Sequence, residues 1–155
     1  MGAVLSKSSY YDNFPFPRAS TFGANCIVSA AALAFLKELK EADLVNQSKI
    51  LGAKLKSALG EIQSGWSADV RGLGLMVGVE LCYPYENNKN PAPAMADFVL
   101  EEMKDLGFLL GRGGAERNVL IWQPPLIITW EQLETAVRAF KLVIQRWESG
   151  KASEN

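Results

Sequence analysis

The stretch NCIVSAAALAFL, residues 25–36, constrains this chain more than any other. Asn25 is a favourable N-cap, and the alanine-rich run behind it is apolar on nearly all sides, so a helix is expected from about Asn25 to Ala42. A helix of that kind needs cover in every direction. The run from Cys26 to Leu36 is too short to span a bilayer and is interrupted by Ser29, so it reads as a buried helix. Just before it, Gly23 permits tight backbone geometry. Thr21 lies on the approach to the helix N-terminus, where free N–H groups and the dipole favour negative charge. From spacing alone, a Thr/Asn capping turn without a ligand is the commoner arrangement.

With 155 residues, 48% of them hydrophobic and 21% charged, the chain is the size of one globular domain with a real core. A net charge of −1 without a long basic run argues against nucleic acid and anionic membranes as partners. There is no histidine, which removes His-based triads, most zinc sites and the commonest general base. Cys26 and Cys82 lie far apart without CxxC spacing and are expected as buried free thiols of a reducing compartment. The N-terminus lacks the apolar core of a signal peptide, which points to the cytoplasm, with the mitochondrial matrix as the alternative.

Residues 1–23 hold aromatics and two prolines, as an extended arm does. Asp43 is a candidate cap for a second helix reaching Ile62, with Leu44, Ile50, Leu51, Leu55, Leu59 and Ile62 as its apolar stripe. ADVRGLGLMVGVELC (68–82) carries the pattern of one strand whose glycines admit close backbone neighbours. A loop follows, then a helix over 94–106 with Met95, Phe98, Val99, Met103 and Leu106 inward. GFLLGRGGAER is a strand edge entering a Gly-rich turn, and NVLIWQ is a second strand closed by Pro124 and Pro125. Thr129 and Gln132 form a capping-box pattern opening the last helix, with Leu133, Val137, Phe140, Ile144 and Trp147 inward. The fold class is therefore α+β, helices packed on a small, mostly antiparallel sheet, preceded by a long helix and an extended arm. The expected division is an arm (1–23), connecting helices (24–62), an α+β domain (63–149) and a frayed tail (150–155).

Three segments could carry chemistry: the Thr21–Asn25 turn, the GRGGAER loop (111–117) and Arg71. The loop has glycines and arginines but no GxxxxGK[ST] pattern, so a solvated turn is the better reading. Arg71 could bind a carboxylate but more often such an arginine ties down backbone carbonyls. Trp122, Trp130 and Trp147 are expected in the core or at an interface. No metal site is expected.

Together, MGAVLSK, STFGAN, DVRGLGLMVGVEL, GFLLGRGG, NVLIWQPPLIIT and EQLETAVRAFKLVI, in this order and at these separations, resemble the last third of class-III pyridoxal-phosphate aminotransferases. The group in question is that of alanine–glyoxylate aminotransferase 2, 4-aminobutyrate and acetylornithine aminotransferases. The resemblance covers residues 1–148. It implies that Thr21, with Ser20 beside it, donates a hydrogen bond to the phosphate of a cofactor held by the neighbouring subunit. It also implies a homodimer or larger assembly. The family's cofactor-bearing lysine and its aspartate precede the segment that opens this sequence, and Lys7 does not match that lysine. No catalytic residue is therefore assigned, and activity would need the lysine-bearing part.

Other positions depart from the family pattern. Arg18-Ala19 stands where His-Gly is frequent, Ala24 where a glycine is usual, and Cys26 where a proline follows the asparagine. The arginine that most members use for the substrate carboxylate is Ile121 here, which would give that pocket an apolar wall. Arg117 shares the strand parity of Ile121 but starts roughly 13 Å away, too far to replace it. Two functions follow from the resemblance. One is the C-terminal portion of an aminotransferase moving an amino group to a 2-oxo acid or aldehyde. The other is a non-catalytic structural or assembly subunit derived from one.

Overall fold

The computed structural model describes residues 6–13, 21–23, 25–62, 67–83 and 90–152. The chain separates into two compact units, Met1–Leu44 and Val45–Asn155. The first holds α1 (Ser8–Asp12) and α2 (Cys26–Glu41). The second holds nearly all of α3 (Leu44–Gly60), then β1 (Ser67–Leu73), β2 (Met76–Leu81), α4 (Pro93–Asp105), β3 (Gly111–Gly113), β4 (Val119–Trp122) and α5 (Trp130–Ala152).

In the first unit, Asn25 caps α2 as its sequence demands. Its side-chain oxygen accepts from the N–H groups of Ile27 at 3.0 Å and Val28 at 3.1 Å. The helix ends at Ala42, and Asp43 adopts φ 48° while its N–H donates to the Lys40 carbonyl. That is the left-handed geometry of a residue terminating a helix. Asp43 thus closes α2. The expected burial of α2 is not met. None of its residues is buried, Ile27 is 81% and Leu33 69% exposed, and Cys26 is an exposed thiol. The described remainder of this unit offers no second apolar layer. The arm contains a five-residue helix, α1, whose Tyr10 is itself exposed.

The second unit is built on a four-stranded antiparallel sheet in the order β1-β2-β4-β3. The segment 68–82, expected as one strand, is a hairpin. Gly74 and Leu75 form a two-residue loop between β1 and β2, with Gly74 at φ 54°. A positive φ at the first loop position is what a type II′ turn requires, and glycine supplies it without strain. Along β2, Val77, Val79 and Leu81 point inward while Met76, Gly78 and Glu80 point outward. The inward row meets Leu120 and Trp122 of β4, then Met95, Val99 and Met103 of α4 and Leu133, Phe140 and Val143 of α5. Trp122 and Phe140 pack edge to face at 5.5 Å. One face of the sheet is thus covered by helices and the other is not.

α5 begins with the expected capping box. The Thr129 N–H donates to Gln132 Oε1 at 3.0 Å, and the Gln132 N–H donates to Thr129 Oγ1 at 3.3 Å. Two stripe expectations need correction. Ile50 is 58% exposed, because it lies one residue off the Leu51/Leu55/Leu59 line and so about 100° around the helix. Leu106 is the C-cap of α4 rather than part of its inward face, and it is 39% exposed.

α3 docks on the β1–β2 turn at very short range. The Leu75 N–H donates to Ser48 Oγ at 3.1 Å, Lys56 Nζ donates to the Gly72 carbonyl at 2.9 Å, and a Cβ on Gly52 would lie 1.9 Å from the Gly74 carbonyl oxygen. Backbone faces backbone there, so no rotamer change can relieve a clash. Gly52→Ala is expected to cost about 1–3 kcal/mol by forcing the helix off the turn. Gly60→Ala, where a Cβ meets nothing within 4 Å, should not destabilise. Urea unfolding of the two variants checks this; equal midpoints would mean that α3 does not close on the turn.

Candidate functional site

The two positions singled out by the sequence lie in different units. In the first, Thr21, Phe22 and Gly23 form a turn, with Thr21 and Phe22 exposed and the Asn25 N–H donating to the Phe22 carbonyl. Ser20 lies outside the described residues. Asn25 already occupies two of the N–H groups at the start of α2. An anion held at this turn would therefore rely on the Thr21 hydroxyl more than on helix amides. A surface hydroxyl fits a single hydrogen bond to a phosphate oxygen.

In the second unit, strand register puts Ile121 on the uncovered face of the sheet. Arg71 of β1 faces Gly78 of β2, Gly78 faces Ile121 of β4, and Ile121 faces Gly111 of β3. These four positions make one row across the sheet. Ile121 is half-buried, and its side chain lies toward β3. A Cβ on Gly111 would be 3.2 Å from Ile121 Cβ, and one on Gly113 would be 2.8 Å from Ile121 Cδ1. A Cβ on Gly78 would meet Val119 Cγ1 at 3.2 Å and no atom of Ile121 within 4 Å. The result is a shallow trough floored by Gly78, with Val119 and Ile121 on one side and Arg71 on the other. Leu73 and Met76 continue the apolar surface toward the hairpin end, 87% and 64% exposed.

Among the described residues Arg71 binds carboxylates, not the backbone carbonyls its sequence context suggested. Its Nη1 donates to Asp69 Oδ2 at 2.8 Å and to Glu80 Oε2 at 2.6 Å. The bonds to Asp69 first, then to Glu80, raise its pKa above the ordinary guanidinium value. One cation between two carboxylates leaves the cluster net negative, which disfavours a further carboxylate. Arg71 therefore does not stand in for a clamp at position 121.

The GRGGAER loop is no phosphate cradle. Arg112 pairs with Leu120 in the ladder and sends its guanidinium to α4, where Nη1 and Nη2 both donate to Asp97 and Nη2 also to the Pro93 carbonyl. Nε donates to the Arg117 carbonyl at 2.6 Å. Its Nη groups hold β3 on α4 and its Nε ties down the turn before β4. Arg117 is not on a strand at all; it sits in the turn before β4 with φ 56°, so the strand-parity comparison with Ile121 does not apply. No local pattern announces Asn118, which is buried in a polar link between strands. Its Nδ2 donates to the Leu81 carbonyl at 2.8 Å and its carbonyl accepts from the Leu81 N–H at 2.9 Å. Beside it Cys82 is buried as expected, and burial, reinforced by Glu80 and opposed by Asn118, pushes its thiol pKa up.

A groove of about 840 Å³ lies between Gly107–Leu110 and Trp122–Ile128 and includes neither Thr21 nor Ile121. Among the described residues no group of His, Cys, Asp and Glu could hold a metal ion, and no helix is long and apolar enough to cross a membrane.

With the sheet, its open face and the Thr21 turn in place, comparison with known proteins decides the family. Residues 1–144 match the model of the family described as aminotransferase class-III. The chain belongs to the class-III aminotransferases. It is 34% identical over 141 residues to the Arabidopsis thaliana protein named alanine–glyoxylate aminotransferase 2 homolog 2, mitochondrial, covering 90% of this chain and 28% of that one. It is 32% identical over 157 residues to a leucine/methionine racemase of Thermococcus litoralis, covering 99% of this chain and 35% of that one. Among solved structures, a Bacillus anthracis aminotransferase superposes with a TM-score of 0.81 at 29% identity, covering 90% of this chain and 34% of that one. The chain thus spans about a third of the length of these relatives.

Proposed function

We propose that this chain is the C-terminal portion of a pyridoxal-phosphate-dependent class-III enzyme that transfers an amino group from an amino donor to a 2-oxo acid or aldehyde. It would contribute a cofactor-phosphate contact and the substrate-side wall, and it would be inactive alone. The observation that carries this is the family match over residues 1–144 in a chain spanning about a third of its relatives, with the Thr21 turn retained ahead of the Asn25-capped helix. Because one relative is named a racemase, transfer is the reading that the aminotransferase relatives support.

In this proposal the cofactor supplies the electron sink and carries the amino group. Thr21, with Ser20 beside it, binds the phosphate across a subunit boundary. Ile121 excludes water from the substrate-side wall without offering a charge. The apolar, uncovered α2 together with Tyr10 and Phe22 forms the contact with a second copy or with the lysine-bearing part, since contiguous exposed apolar surface marks an association site. No lysine of this chain matches the place of the cofactor-bearing lysine.

Incubated alone with pyridoxal phosphate and an amino donor, then reduced with borohydride, the chain should show no turnover and no stoichiometric labelling of one lysine. Either result in the positive would overturn the proposal. In an assembly containing the lysine-bearing part, Thr21→Ala should weaken cofactor binding. Loss of one hydrogen bond to a charged phosphate costs about 1.5–3 kcal/mol, or about one to two decades in Kd. An unchanged Kd would make Thr21 a turn residue only.

One observation favours a second reading, a non-catalytic structural subunit: isoleucine at 121 cannot replace any part of a bidentate arginine–carboxylate pair, and among the described residues no neighbour on the open face supplies one. The two readings separate in the assembled protein. A catalyst with an apolar wall should turn over amines lacking a carboxylate, and Ile121→Arg should shift its preference toward the amino acid. A structural subunit should turn over neither, before or after the change. A parent assembly that already prefers the amino acid by about two decades, roughly 2.7 kcal/mol, would show that another residue holds the carboxylate.

A further inference from the structure

We propose that Gly113 is a positioning residue: by presenting no side chain it lets Ile121 lie back across β3, and so keeps open the trough above Gly78. This rests on Ile121 lining the substrate-side wall, as proposed above. Ile121 has two glycines beside it on β3, but they act differently. At Gly111 an added Cβ would press on Ile121 Cβ at 3.2 Å, an atom fixed by the backbone. At Gly113 it would strike Ile121 Cδ1 at 2.8 Å, the far end of a side chain that can rotate. Gly111 therefore governs whether β3 can pair with β4, and Gly113 governs where Ile121 points.

The space that Ile121 vacates has a definite chemistry. Its floor is the Gly78 backbone, one side is Val119 and Ile121, and the other is Arg71, whose Nη1 is engaged by Asp69 and Glu80. Glycine within a strand often marks where a ligand approaches the backbone closely. An apolar substituent suits this trough, and the net negative cluster beside it repels a carboxylate. The substrate class it would take is an amine donor with an apolar side group and no carboxylate at this wall. A side chain at 113 would swing the end of Ile121 over Gly78 and close the trough.

Methyl NMR on the chain itself tests the positioning. In the parent, the Ile121 δ1 methyl should show a cross-peak to the Gly113 Hα. In Gly113→Ala that cross-peak should vanish, the δ1 carbon shift should move, and a contact to the Gly78 Hα should appear. Gly111→Ala should lower the urea midpoint without creating the Gly78 contact. If Gly113→Ala folds poorly, the double variant Gly113→Ala/Ile121→Val, which lacks the struck atom, should fold as the parent does. An unmoved δ1 methyl, or failure of that rescue, overturns the positioning role and leaves the aminotransferase reading intact. In the holoenzyme containing this chain, Gly113→Ala should raise KM for benzylamine several-fold with kcat held. A displaced methyl with unchanged KM instead retires the substrate-wall reading of position 121, and the specificity role with it.

Discussion

The alternation along β2 decides the layout of the second unit. Val77, Val79 and Leu81 cannot all be buried unless Met76, Gly78 and Glu80 face the other way, because successive strand residues point to opposite sides. β2 is central and pairs on both edges, so its choice of face is imposed on β1 and β4 through register. Arg71 and Ile121 reach the open face for this reason and not through any contact of their own. A one-residue slip between β2 and β4 would move Ile121 into the core and Trp122 out of it. The buried Asn118 guards against that slip by exchanging two hydrogen bonds with Leu81 at the end of the pairing.

Much of this was legible in the sequence wherever a short-range rule applied. The Asn25 cap, the Thr129–Gln132 box and the inward faces of α4 and α5 each depend on residues within a turn or two of one another. The errors came where distant contacts decide. Residues 68–82 carry a strand pattern from end to end, and the Gly74–Leu75 turn is visible only once α3 is seen closing on it through Ser48 and Gly52. Arg71 and Arg112 looked alike, each flanked by glycine, yet one sits between two carboxylates on the open face and the other is clamped to α4. Their roles follow from which face each strand position takes, a property of the sheet rather than of the local sequence.

The site was legible to a different depth. Composition and spacing alone reached a globular α+β domain with one possible anion turn; only six motifs in register carried the inference to a family. The structure then added what neither could supply: Asn25 consumes the helix amides that made the turn attractive to an anion, and Ile121 leans away from Gly78. Both turn a named residue into a stated geometry. A hydroxyl contact to phosphate needs no free helix terminus, and an apolar wall needs no arginine.

The energetics of α2 set the terms for the chain as a whole. Burying a side chain of the size of Ile27, Leu33, Phe35 or Leu36 contributes about 1.5–3 kcal/mol, and all four are more than half exposed. Together they withhold on the order of 6–12 kcal/mol, as much as the net stability of a typical domain. A 16-residue helix has little intrinsic stability in water, and its Asn25 cap adds only about 1 kcal/mol. Secondary-structure propensity therefore cannot be what holds α2 in place; cover must come from another surface. The second unit has no such need, because its helices and sheet already close around one core. The uncovered apolar surface of α2 thus lies in the first unit, the same unit that carries Thr21. Whatever covers α2 also bears on the Thr21 turn, because the Asn25 cap joins that turn to the start of the helix.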